Sequence, residues 1–237
     1  MSHPTLSVLE WRPARAADHP EPDTLHLWRI DLHQGDAAGD ARALASLTPH
    51  QRERHARLRL PEHRRRYLRT QAGCRAVLAR YLDVEPAAVA FRYGPAGKPE
   101  LAMADGRLRF NLTGTGELAL LAVGLDLPVG VDCEWLRARP NAPAIARRMF
   151  TPAVVAALDE LPTPRRLLAF YLHWTALEAR VKADGRGLAR HRDADLPGLG
   201  VGHALVHGDA ADGCVCAVAR QQLPAPKSWR GLLLTPR

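Results

Sequence analysis

The stretch Pro128-Val129-Gly130-Val131-Asp132-Cys133-Glu134-Trp135-Leu136 decides how the rest of the chain is read. Its period-2 alternation places Asp132 and Glu134 on one face of a strand and Val131 and Cys133 on the other. Two carboxylates then stand side by side. Further along, Trp174-Thr175-Ala176-Leu177-Glu178-Ala179-Arg180-Val181-Lys182 has helical spacing. Trp174, Glu178 and Lys182 fall at i, i+4 and i+8, so an aromatic ring, a carboxylate and an ammonium share one stripe. Three carboxylates and one lysine able to converge suggest a hard cation holding a phosphate, with the lysine on the same phosphate.

The elements around these motifs occur twice in the same order. Leu25 to Leu32 alternates like a strand, Leu47-Thr48-Pro49 opens a helix, and Tyr67-Leu68-Arg69 begins a longer helix running to about Leu82. In the second half Pro128 to Leu136 is the strand, and Phe150-Thr151-Pro152 opens a helix with Thr at the cap and Pro in the first turn. Tyr171-Leu172-His173 then begins the helix carrying Glu178 and Lys182, which stops at Asp184-Gly185-Arg186-Gly187. The pattern predicts two related α+β halves, residues 1–127 and 128–237, joined near Asp126-Leu127-Pro128. Between the long helices, Val89 to Tyr93, Leu108 to Leu112 and Glu117 to Val123 read as strands, with a turn at Gly94 to Pro99. From about Gly198 the chain reads as a closing hairpin, and after Leu223 its prolines predict a peripheral tail.

At 237 residues and 46% hydrophobic content, the chain is long enough for one large domain or two small ones with real cores. The apolar run Leu118 to Leu125 ends at Asp126, far too short to span a bilayer. Met1-Ser2-His3-Pro4 lacks the basic start and apolar core of a secretory signal. The four cysteines form no CxxC pair and have no histidine at finger spacing, so they read as reduced thiols of a cytoplasmic protein rather than as a zinc site.

The formal charge of +8 is concentrated. From Arg42 to Arg80, eleven arginines face only Glu53 and Glu62, an excess of nine. Such a segment fits a polyanion, an acidic protein partner or a phosphorylated small molecule, or else a solvated arginine-rich helix face. With aromatics at only 5% and scattered, the stacking platforms of a nucleic-acid module are missing, so no nucleic-acid partner is expected. Only Lys98, Lys182 and Lys227 are lysines. In an arginine-biased chain, a lysine kept inside a motif points to a need for a compact charge.

Taken in order, Gly130-x-Asp132-x-Glu134, Phe150-Thr151-Pro152 and Trp174-x3-Glu178-x3-Lys182-x2-Gly185-x-Gly187-Leu188 resemble the 4′-phosphopantetheinyl transferases of the surfactin-synthetase-activating (Sfp) type. Arg69-Thr70, Gly97-Lys98-Pro99 and Phe110-Asn111-Leu112-Thr113-Gly114-Thr115 extend the resemblance upstream, so that it covers roughly Leu47 to Leu188. It implies an α+β pseudo-dimer of two similar subdomains with the active site in the cleft between them, acting as a monomer. The implied reaction moves the 4′-phosphopantetheine arm of coenzyme A to a serine of an apo acyl- or peptidyl-carrier protein, releasing 3′,5′-ADP, in a fatty-acid, polyketide or nonribosomal peptide pathway. By the same resemblance Asp132, Glu134 and Glu178 hold Mg²⁺, Glu178 doubles as base, and Lys182 neutralises the leaving phosphate. Arg69, Lys98, Pro99, Asn111, Thr113, Asp132 and Lys182 contact coenzyme A, and one of Arg52, Arg54 and Arg57 meets its 3′-phosphate.

Two positions depart from the family pattern. Gly114 stands where the family has a histidine on coenzyme A phosphate, and Leu177 stands where it commonly has a lysine before the glutamate. Both changes remove a positive group. They leave open a diverged homologue that binds coenzyme A or carrier protein with weak or no transfer.

Overall fold

The computed structural model describes residues 5–102, 106–189 and 198–234. Met1 to Pro4, read above for an export signal, lie outside the described residues. After two short strands, β1 (Leu6–Val8) and β2 (Trp11–Pro13), strand β3 (Leu25–Asp31) leads into α1 (Ala37–Ser46), α2 (Pro49–Arg57) and α3 (Pro61–Leu82). Two hairpins follow, β4 (Phe91–Tyr93) with β5 (Pro99–Leu101), and β6 (Leu108–Thr115) with β7 (Leu118–Leu125). The order then recurs as β8 (Val129–Trp135), α4 (Ala142–Met149), α5 (Pro152–Asp159), α6 (Thr163–Asp184) and the hairpin β9 (Leu199–His207) with β10 (Cys214–Gln221). Strand β11 (Trp229–Leu233) closes the chain.

The recurrence extends to single residues. Thr48 and Thr151 both cap their helices, accepting from the backbone N–H of Gln51 and Val154, and a proline follows each in the first turn. The long helices α3 and α6 are each 22 residues. Both begin earlier than the sequence expectation, at Pro61 and Thr163 instead of Tyr67 and Tyr171. A proline in the first turn, with φ already helical, starts each helix ahead of its apolar stripe.

Two sheets organise these elements, one in the order β2-β11-β3-β7-β6 and one in the order β1-β9-β10-β8. Helix α3 covers the first, packing Val77 and Leu78 with Trp28, Ile30 and Leu121. Helix α6 lies on the second through small residues, Ala179 and Ala183 against Ala217 and Ala219. The closest approach is at Gly130 of β8, where an added Cβ would stand 2.0 Å from the carbonyl oxygen of Ala179. Only glycine admits the helix backbone there. A shared core joins the sheets, with Leu25, Leu27 and Leu120 from one meeting Val129, Val131 and Val218 from the other.

One expectation is corrected. The tail after Leu223 is not peripheral: β11 lies inside the first sheet, parallel to both β2 and β3, with Leu232 fully buried and Trp229 4% exposed. β1 pairs with β9 of the second sheet, and β11 enters the first, so each end of the chain crosses to the opposite half. Pairing between strands at opposite ends of the chain leaves no local periodicity to read.

Candidate active site

Strand β8 and helix α6 bring the two acidic motifs together. From the last turn of α6, Lys182 Nζ donates to Asp132 Oδ1 at 2.6 Å and to Thr113 Oγ1 at 3.1 Å, while Thr113 Oγ1 donates to the same Asp132 oxygen at 3.0 Å. Asp132 is 6% exposed, and its second oxygen, Oδ2, is buried with no hydrogen-bond partner among the described residues. Burial, followed by repulsion from Asp132, pushes the carboxyls of Glu134 and Glu178 up from the usual range; Lys182 opposes this at Glu178. The three carboxylates are thus close enough to feel one another. They do not form a closed ligand set, and among the described residues no three acidic, histidine or cysteine side chains group tightly enough to hold a metal ion. Lys182 takes one oxygen of Asp132, and Thr115 Oγ1 donates to Glu134 Oε2 at 3.2 Å.

A third element, β6, braces this arrangement. Asn111, Thr113 and Thr115 stand at i, i+2 and i+4 and so share a face. Asn111 Oδ1 accepts from the Val131 backbone N–H at 2.9 Å, Thr113 holds Asp132, and Thr115 holds Glu134. β6 and β8 belong to different sheets, and these side chains link them. The strand expected over Leu108 to Leu112 therefore continues to Thr115. Thr113 lies against the acid and the lysine, and Thr115 has a bracing role that sequence reading missed. The alternation Asn111-x-Thr113-x-Thr115 was the available signal.

An open cleft of about 220 Å³ runs between Ala96 to Pro99 and the end of α6, lined also by Asn111, Leu112, Glu178, Lys182, Gly185 and Gly187. A larger cleft of about 370 Å³ shares Lys98 and Pro99 with it but contains none of the carboxylates or Lys182 of the site. The chemistry singles out the smaller one. Lys98, Pro99, Asn111, Glu178 and Lys182 all line it. Lys98 Nζ, however, is engaged by protein, donating to the carbonyls of Ala183 at 2.9 Å and Val129 at 3.3 Å, and burial presses its ammonium down to about 8.

Arg69 is placed elsewhere. Its guanidinium donates to both oxygens of Asp40, at 2.8 and 2.9 Å, and to the carbonyls of Leu32, His33 and Gly35. It does not line the cleft, and its donors are consumed in joining α3 to the β3–α1 connection. Much of the arginine excess is spent in this way. Arg65 and Arg66 hold Glu117, Arg52 donates to the Leu47 carbonyl, and Arg57 pairs with Glu53. Arg54 differs, lying over the Tyr67 ring with no carboxylate partner among the described residues. Trp174 stacks on Phe170 and packs at the edge of the core beneath α4 to α6.

The family profile of the 4′-phosphopantetheinyl transferase superfamily matches residues 128–221, the span from β8 to β10 that holds both acidic motifs. The chain is similar to the 4′-phosphopantetheinyl transferase HetI of Nostoc sp., 37% identical across 73% of this chain and 74% of that protein. It is also similar to a 4′-phosphopantetheinyl transferase of Bacillus subtilis, 28% identical across 67% and 69%. A third relative is the 4′-phosphopantetheinyl transferase AcpT of Escherichia coli, 34% identical across 47% and 55%. Carrying both acidic motifs of that family on one strand and one helix, the chain belongs to the 4′-phosphopantetheinyl transferase superfamily.

Proposed function

We propose that this chain transfers the 4′-phosphopantetheine arm of coenzyme A to a serine hydroxyl of an apo acyl- or peptidyl-carrier protein, releasing 3′,5′-ADP. One observation supports this reading above the others: Asp132, braced by Thr113 and Lys182 beside a cleft lined by Glu178, keeps a buried oxygen with no partner among the described residues. A buried carboxylate oxygen left in this state calls for a cation. Asp132 through Oδ2 and Glu178 would hold Mg²⁺, with Glu134 reached through a bound water, and the ion when bound would neutralise the diphosphate of coenzyme A.

The chain's own groups supply the rest. Lys98, Pro99 and Asn111 wall the cleft in which the diphosphate lies. Lys182 sets its ammonium against the charge that grows on the leaving 3′,5′-ADP. Glu178, whose carboxyl is raised by burial and like charge, accepts the serine proton directly or through a water. Arg54 on its Tyr67 platform is the member of the Arg52, Arg54, Arg57 group left to meet the 3′-phosphate. In this reading residues 1–127 and 128–237 form a pseudo-dimer with the active site between the halves, the terminal strands being exchanged. A monomer then suffices, and the remaining basic surface steers an acidic carrier helix.

Purified protein mixed with coenzyme A, Mg²⁺ and apo carrier should give a carrier whose intact mass rises by one phosphopantetheine. No adduct on any of several carriers, together with no coenzyme A binding by calorimetry, rejects the proposal. Coenzyme A binding without an adduct would identify the chain as the diverged, non-transferring homologue that Gly114 and Leu177 leave open.

A further inference from the structure

Lys98 belongs to the hairpin β4–β5, yet both of its hydrogen-bond acceptors lie in the second half of the chain. Ala183, at 2.9 Å, is in the last turn of α6, and Val129, at 3.3 Å, is the first residue of β8. Its aliphatic stem runs past Gly185, where an added Cβ would stand 3.4 Å from Lys98 Cδ. Gly185 closes α6 with φ 79°, its N–H donating to the Val181 carbonyl. Carbonyls in a final helical turn lack intrahelical donors, and the negative end of the helix dipole favours a cation. Two carbonyls from different elements converge on one nitrogen, a task for a tetrahedral ammonium. A guanidinium spreads its donors over a planar fork.

We propose that Lys98 is a positioning residue that ties the end of α6 to the start of β8 and so fixes Glu178 and Lys182 opposite Asp132. The inference rests on the transferase reading above for its kinetic consequence, but not for its structural one. Glu178 and Lys182 lie within the final two turns of α6, and Asp132 lies three residues after Val129, so a shift at the tie is delivered directly to the reacting groups. A displacement of the order of 1 Å there is enough to cost about a hundredfold in rate.

The test compares Lys98→Met and Lys98→Arg with the parent protein by kinetics on coenzyme A and apo carrier, and by amide exchange of the coenzyme A-free protein. Both variants should lose about tenfold or more in kcat while KM for coenzyme A changes less than about threefold. Exchange in peptides covering residues 179–186 should accelerate, with α3 unchanged. A KM rise at constant kcat, or recovery by arginine, would mark Lys98 as a plain phosphate contact and overturn the proposal. So would unaltered exchange at the end of α6. Should Lys98→Met fail to fold, Lys98→Gln, a shorter neutral side chain that keeps an amide N–H₂, is read by the same criteria. If the parent protein transfers nothing, the transferase reading fails, and the exchange experiment still decides the tie.

Discussion

Glu178 is held where its charged form is least comfortable, partly buried and facing Asp132 and Glu134. A carboxyl whose folded pKa lies above its unfolded value makes the folded state bind the extra proton. Stability therefore rises as pH falls through the window between the two values, and above that window the charge is a cost. Glu178→Gln should remove transfer by about 10²–10⁴-fold. In metal-free buffer at neutral pH the same variant should melt at or above the parent, by about 1–2 °C, since solvent screens a half-buried group. Paired melting curves and carrier-labelling rates check both halves of the prediction. Gly114 offers a gain instead. It is exposed, and an added Cβ would meet only ordinary contacts, the nearest being the Leu118 carbonyl at 3.5 Å. Gly114→His should fold normally and tighten coenzyme A binding by about 1 kcal/mol, read by titration calorimetry. At this scale local spacing placed Asp132 and Glu134 on a strand and Glu178 and Lys182 on a helix. The bonds from Asn111, Thr113 and Thr115 to β8 could not be read, because they cross between sheets.

At the scale of elements, the site depends on how closely α6 can lie on β8. Gly130 sets that distance, with an added Cβ 2.0 Å from the Ala179 carbonyl oxygen and 2.4 Å from the Ala183 nitrogen. These are backbone atoms of α6, so no rotamer change relieves the clash. Gly130→Ala should destabilise by about 1–3 kcal/mol or more in urea unfolding. Its loss of transfer should exceed what the unfolded fraction explains, because the helix must move away with Glu178 and Lys182. The capped helices α2 and α5 were legible from Thr-Pro pairs, since a cap is a local hydrogen bond with a local signature. The starts of α3 and α6 were not, because proline-entered first turns precede the apolar stripe.

For the whole molecule, the decisive feature is the exchange of termini. β11 is an interior strand between β2 and β3, so a chain ending at Gln222 should lose the first sheet's continuity and show no cooperative thermal transition by circular dichroism. Acid should weaken the same sheet. Tyr81 Oη accepts from Trp28 Nε1 at 2.6 Å and shares a hydrogen bond with His26 Nδ1 at 2.7 Å, while burial holds His26 down to about 4. A base with a depressed folded pKa favours unfolding once protons are available. The stability contributed by neutral His26 is full above about 6.5 and declines as pH falls toward 4, by at most about 1.4 kcal/mol per unit. His26→Gln should flatten that slope in pH-dependent denaturation.

The amino-acid sequence by itself determined the doubled order of strand, capped helix and long helix, and the placing of Asp132, Glu134, Glu178 and Lys182 on their elements. Those properties follow from dihedral periodicity and caps spanning a few residues. Only the tertiary structure decided that Arg69 serves Asp40, that Lys98 grips two carbonyls, that β6 braces the acids, and that the two ends of the chain trade sheets. Each of these is a contact between segments distant in sequence, whose formation depends on the packing of the whole chain and leaves no trace in local spacing.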